Sequence, residues 1–150
     1  MKRILAVIKP TETDLELLEE AGTIAAAVGI EVVVLALDFD GSENVSADAM
    51  QQWEGFADAN SDETAETVHR FAEYLGNRVL DPLGVEYLPI GERIETTRPS
   101  SKIIDVAKNH GCDHIYVTNR RRSPTGKALF GETAQSVILN FDGFVMVRTV

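Results

Sequence analysis

Ile4-Leu5-Ala6-Val7-Ile8, then Lys9-Pro10, then a helical stretch closed by Gly29, and finally Val32-Val33-Val34-Leu35-Ala36-Leu37 make up the opening of this chain. Both apolar runs are continuous rather than alternating, the pattern of strands covered on both faces. The second is rich in β-branched residues, which suit a pleated surface. Pro10 ends the first run, and Thr11 or Thr13 can cap the helix that follows, Thr13 standing three residues before Glu16 at capping-box spacing. Leu15, Leu18, Ala21, Ile24, Ala25 and Val28 then recur at helical spacing. Two buried strands joined by a crossover helix make a β-α-β unit, and such a crossover forces a parallel pair.

The alternation continues along the chain. Ala65, Val68, Phe71, Ala72, Leu75 and Val79 predict a second helix, capped by Ser61 or Asp62 and stopped by Pro82–Gly84. Val85–Ile90 reads as a third strand, which Pro89 assigns to a sheet edge. Ser100 or Ser101 opens a helix through Ile103, Ile104, Val106 and Ala107 that closes at Gly111. His114–Val117 is the fourth strand, Thr133–Asn140 the last helix and Phe144–Val150 the fifth strand. Between Asp38 and about Ser61 no period is sustained, so a surface loop is expected there, with a short helical turn near Ala47–Trp53. The fold class is therefore α/β, a doubly wound parallel sheet with helices on both faces. Such sheets bind ligands outside the carboxyl ends of their strands, here after Ile8, after Leu37 and after Val117.

Composition narrows the function. A length of 150 residues suits one domain spanning 1–150, and 44% apolar with 25% charged residues is ordinary globular usage. The longest apolar runs fall far short of the roughly 20 residues that span a bilayer. Ile4–Ile8 is too short for a secretory h-region and runs into Lys9-Pro10. Cys112 is the only cysteine, which excludes an internal disulfide framework, and His69, His110 and His114 are scattered without zinc spacing. A cytoplasmic protein with no metal site is expected. A formal charge of −10 argues against nucleic-acid and anionic-membrane partners.

The charge is unevenly spread, because Arg120, Arg121 and Arg122 with Lys127 form a dense basic cluster. That cluster lies in the loop from Thr118 to Gly131. Ser123-Pro124 suits an N-cap followed by proline at the first helical position, and Gly126 permits close approach of a ligand. Free N–H groups beside four cations are what a phosphate group needs, the alternative being a solvated basic loop or an interface contact. Thr125-Gly126-Lys127 lacks the first glycine of a Walker loop. Asp38 and Asp40 can hold a ribose or a magnesium ion, or simply face solvent. His110 suits a helix C-terminus, His114 has no triad partner placed beside it, and Cys112 reads as a small apolar residue. Neither Gly-x-Ser-x-Gly nor Gly-x-Gly-x-x-Gly occurs, so a hydrolase or dehydrogenase has no support.

The first strand, the capped helix, Val32–Leu37, Ser123–Val137 and Phe144–Val147 together resemble the universal stress protein family, most specifically over Arg122–Gly131. The resemblance implies an adenine nucleotide alpha hydrolase-like sheet in the order 3-2-1-4-5 and homodimers. In some members it implies ATP between strands one and four. Those members carry Gly-x2-Gly-x9-Gly-(Ser/Thr) and an acidic residue at the end of strand one. Here Gly131 matches the third glycine, while Thr118 and Arg121 stand at the first two. Glu132 takes the hydroxyl position with Thr133 one place late, and Lys9 replaces the acid. The expectation is a non-catalytic stress-response or regulatory module with ATP binding weakened or lost, the alternative being an ATP-binding switch or slow ATPase. An adenylating enzyme is disfavoured because Ser-Gly-Gly-x-Asp-Ser is missing after strand one. Ile8, Lys9, Leu37, Thr118, Arg120, Arg121, Arg122, Gly126, Lys127, Gly131 and Thr133 form the candidate nucleotide or anion site. Phe144–Val150, an apolar edge without inward charges or prolines, is the expected homodimer contact.

Overall fold

The computed structural model describes residues 1–39, 50, 53, 56, 65–94, 98–119 and 131–150. Within them the alternation becomes β1 (Arg3–Ile8), α1 (Glu12–Val28), β2 (Glu31–Phe39), α2 (Ala65–Val79), β3 (Tyr87–Ile94), α3 (Pro99–Asn109), β4 (His114–Asn119), α4 (Glu132–Asn140) and β5 (Phe144–Thr149). The strands lie in the order β3-β2-β1-β4-β5, and every neighbouring pair is parallel.

The continuous apolar runs feed two cores, one on each face of the sheet. Ile4, Ala6 and Ile8 with Val32, Val34 and Ala36 meet α1 and α2 on one side. Leu5 and Val7 with Val33, Leu35 and Leu37 meet α3 and α4 on the other. Each fully buried Val, Leu or Ile contributes roughly 1.5–3 kcal/mol. Because both faces are used, a period-2 polar pattern never appears in β1 or β2.

Several local expectations are corrected. Thr11, not Thr13, caps α1, its side chain accepting the Asp14 N–H. The buried stripe of α1 is Leu17, Leu18, Ala21, Gly22 and Ala25, and Val28 is exposed. The stripe turns this way because Gly22 lies against Leu80 and Leu83, where an added Cβ would sit 2.7 Å from the Leu80 side chain. Val85 is not in the third strand; its N–H bonds back to the Leu80 carbonyl after a 3-10 turn at Asp81–Leu83, and the strand runs on to Ile94. Pro89 does lie on an edge strand.

α3 starts on Pro99 with Arg98 as N-cap, displacing Ser100 and Ser101 from that role. Ser100 is instead buried and bonds Ser136 of α4. The helix ends in a Schellman motif: Gly111, at φ 66°, donates to Lys108, and Cys112 donates to Ala107.

The described residues of the stretch expected as a surface loop are not all solvated. Asp38 is buried within β2, with Arg93 3.7 Å away, so it is not a solvated strand end. Met50 and Phe56 are core residues, and Trp53 and Phe56 meet Phe71 edge-on at 6.1 and 5.4 Å. Asp40, the remainder of the turn near Ala47–Trp53 and the caps Ser61 and Asp62 lie outside the described residues. No helix among the described residues is long and apolar enough to cross a membrane.

Candidate functional site

β1 and β4 pair only from Ile4 opposite His114 to Ala6 opposite Tyr116. Beyond that point β1 follows β2 to Ile8, and β4 follows β5 to Asn119. The sheet therefore parts between β1 and β4 at its carboxyl end, where connections diverge to opposite faces. The N-terminus of α1 and the N-cap of α4 border this crevice.

The expected site residues are distributed as follows. Ile8 and Leu37 are fully buried, one in each core, so neither side chain is available to a ligand. Lys9 is half-buried at the end of β1, where its carbonyl accepts the Thr11 N–H at 2.8 Å. Thr118 belongs to β4, which extends two residues beyond the expected Val117, and its hydroxyl points into the crevice. Gly131 is the N-cap of α4, and Thr133 lies half-buried in its first turn. Arg120, Arg121, Arg122, Gly126 and Lys127 lie outside the described residues.

Two polar residues missed in the sequence complete the crevice. Asp14, 1% exposed, accepts from Thr118 Oγ at 3.1 Å and from the Thr11 hydroxyl. Burial pushes its carboxyl above the ordinary carboxylate value, against the charge of Lys9 and hydrogen bonds from Thr11, Thr118 and the Lys9 backbone. The signal was present as Thr11-x-x-Asp14, a second capping-box spacing beside Thr13 and Glu16. Asn119, 3% exposed, turns to the opposite face of β4, where its Oδ1 accepts the Gly131 N–H at 2.6 Å. Its Nδ2 has no acceptor among the described residues. A buried donor left without a partner costs about 1–3 kcal/mol. Nothing in the local sequence singles Asn119 out.

At the amino end of the sheet the remaining candidates have structural roles. Asp113 accepts the Lys2 and Arg3 N–H groups at 3.0 and 3.2 Å and contacts His114 Nδ1 at 2.9 Å. Burial opposes ionisation there, yet these bonds and the neighbouring His114 hold the Asp113 carboxyl well below the usual range. The His110 carbonyl receives Arg3 at 2.9 Å, and the His114 ring stacks on Phe144 at 4.7 Å. Burial pushes the Cys112 thiol up to about 11, which keeps it unreactive. Among the described residues no group of three His, Cys, Asp or Glu is placed to hold a metal ion.

A family model, that of the universal stress protein family, matches residues 1–147. A universal stress protein from Archaeoglobus fulgidus is similar in structure at 18% identity and TM-score 0.66, covering 98% of this chain and 93% of that one. A second structure of a universal stress protein from that organism, in complex with dAMP, matches at 18% identity and TM-score 0.56, over 98% and 96%. A universal stress protein in complex with cAMP matches at 16% identity and TM-score 0.61, over 99% and 96%. No curated protein matches the sequence.

Proposed function

The chain belongs to the universal stress protein family, and from that membership we propose that it works as a non-catalytic stress-response or regulatory module. In this reading it is a single-domain cytoplasmic homodimer in which ATP binding at the β1/β4 crevice is weakened or lost. The observation that carries the reading is the contact of Thr118 with Asp14. A threonine side chain stands where ATP-binding members have their first glycine, and it is tied across the crevice. Lys9 occupies the acidic position at the end of β1. The nearby carboxylate, Asp14, is buried and already engaged, so a ribose would have to displace Thr118 to reach it.

The dimer is supported by β5. It is an edge strand, and its Phe144 and Met146 are 66% and 46% exposed beside the α1 layer. Val145 and Val147 on its other face are only partly covered by the α3/α4 core. A second copy pairing along this edge would satisfy its free backbone groups.

Calorimetric titration with ATP and magnesium tests the binding part. The expected dissociation constant is weaker than about 10 µM, and a tighter one overturns the reading. Sedimentation at micromolar concentration tests the dimer, which a monomer would refute. The second reading, a nucleotide-binding switch, is favoured by the two structural relatives solved with dAMP and cAMP. A nucleotide co-purifying with the native protein, seen by mass spectrometry, would select it.

A further inference from the structure

We propose that the strip of sheet left bare beside α1, carried by Phe144 and Met146 of β5, is a docking face for a basic amphipathic helix of a partner protein. The inference goes beyond the reading above and does not depend on how the crevice treats ATP.

The register of β4 and β5 sets Phe144 beside His114, Met146 beside Tyr116 and Arg148 beside Thr118, so these side chains of β5 lie on the α1 face of the sheet. α1 covers that face as far as β4, where Tyr116 is buried in one core with Leu17, Leu18 and Ala21. One strand farther out the cover has ended. Phe144 and Met146 are 66% and 46% exposed and belong to neither core. The flank of α1 that overlooks β4 is marked by Glu20, since burial and then the Glu20 carboxylate raise the Tyr116 hydroxyl above its ordinary value. Ile24 and Val28 follow Glu20 at four-residue spacing on the same stripe, the first half-buried and the second exposed. Both ends of the strip are occupied. The His114 ring stacks on Phe144, and the Arg148 guanidinium donates to Glu16 at 2.9 Å.

The kind of occupant follows from what this face offers. A strand added along the edge of β5 lies in the plane of the sheet and takes up backbone groups, so it leaves Phe144 and Met146 uncovered. Whatever covers the face receives no backbone partners from it and must satisfy its own, as a helix does. Four residues of strand from Phe144 to Arg148 span about 13 Å. Two turns of helix span about 11 Å, so one apolar row matches the strip. Charge then selects the flanks of that row. α1 carries Glu12, Asp14, Glu16, Glu19 and Glu20, and the sequence has no Lys or Arg between Lys9 and Arg70. Arg148 is already paired with Glu16. A second copy of this chain, with a net charge of −10, would set its own acidic α1 against this one. Lysines or arginines beside an apolar row instead meet the α1 carboxylates while the row covers Phe144 and Met146.

The probe is a synthetic helical peptide with a leucine row and lysine flanks, added to the full chain and followed by fluorescence anisotropy and by the Met146 methyl resonance. Binding should saturate with a dissociation constant below about 100 µM and shift that methyl. The same peptide with glutamates for lysines, and a lysine peptide of equal charge whose leucines are scrambled off the row, should each bind roughly tenfold more weakly or worse. Met146→Gln leaves the net charge unchanged, so a loss of roughly tenfold in that variant reports the apolar contact. Glu20→Lys alters an exposed side chain of α1, and a loss of similar size there reports the charge. The proposal is overturned if either control peptide binds as well as the designed one, if either variant binds it like the wild type, or if it fails to bind by about 1 mM. It is also overturned if sedimentation shows that Met146→Gln dissociates an oligomer of the wild type, because a second copy would then cover the face. Tight ATP binding would refute the weakened-ATP reading and leave these outcomes untouched, so the two failures are separable.

Discussion

Thr118 Oγ donates to Asp14 Oδ1 across 3.1 Å, joining the carboxyl end of β4 to the first turn of α1 over a separation of 104 residues. The bond spans the crevice where β1 and β4 have ceased to pair. It satisfies a buried carboxylate and sets a side chain in the space at the switch point of the sheet.

Replacing Thr118 by valine keeps the shape and removes the donor. The Asp14 carboxylate then loses a partner inside the protein, and stability falls by about 1–3 kcal/mol in urea unfolding. An unchanged midpoint would contradict a structural role for the bond. Thr118→Gly, which empties the space, raises ATP affinity by roughly tenfold if this side chain is what obstructs it.

The raised carboxyl of Asp14 gives a pH dependence of definite sign. The folded state holds this proton more tightly than the unfolded chain. Its contribution is therefore fully present below the unfolded pKa of about 3.9 and is lost as pH rises through the folded value. Asp14→Asn carries no charge at any pH. Unfolding midpoints across a pH series should show the variant gaining on the wild type from about pH 4 upward. A constant difference between the two would contradict the assignment.

Val147→Pro separates dimer formation from folding. The N–H groups of Phe144 and Val150 bond to Asp113 and Asn119, on the β4 side. Residues of one parity along a strand share that direction, so the Val147 N–H faces the outer edge of β5. Proline there removes an edge donor while leaving the β4 ladder intact. Sedimentation should give a folded monomer, and a variant that still dimerises would argue against pairing through β5.

Gly91→Ala should be strongly destabilising. A Cβ at this position would sit 2.1 Å from the backbone nitrogen of His69, and the main chain of α2 has no rotamer by which to retreat. The expected loss is about 1–3 kcal/mol or more, read as a lower thermal midpoint. A variant as stable as the wild type would mean that α2 and β3 are not in such close contact.

What the chain specifies locally was legible in its sequence. Continuous apolar runs, helical spacing and glycine stops identify β1, α1 and β2 because each signal acts within a few residues. β4 and β3 were misjudged at their ends, since a polar Thr118-Asn119 pair before a basic loop reads as a turn and a proline interrupts Tyr87–Ile94. Pairing with β5 and β2 supplies there what propensity does not.

The candidate site divides along the same line. Gly131 and Thr118 could be located by counting within a motif, and the departures at Lys9 and Glu132 were visible in the same way. Asn119 could not, and for Asp14 the Thr11-x-x-Asp14 spacing marked a capping residue but not its burial, because an aspartate in a first helical turn and an asparagine after a strand ordinarily face water. Tertiary structure decided otherwise: closure of α1 over β4 buried Asp14 against Thr118, and docking of α4 beside β4 buried Asn119 against Gly131. Whether a polar side chain is solvated or buried depends on neighbours brought from distant parts of the chain, and that information is not carried by the residue or its spacing.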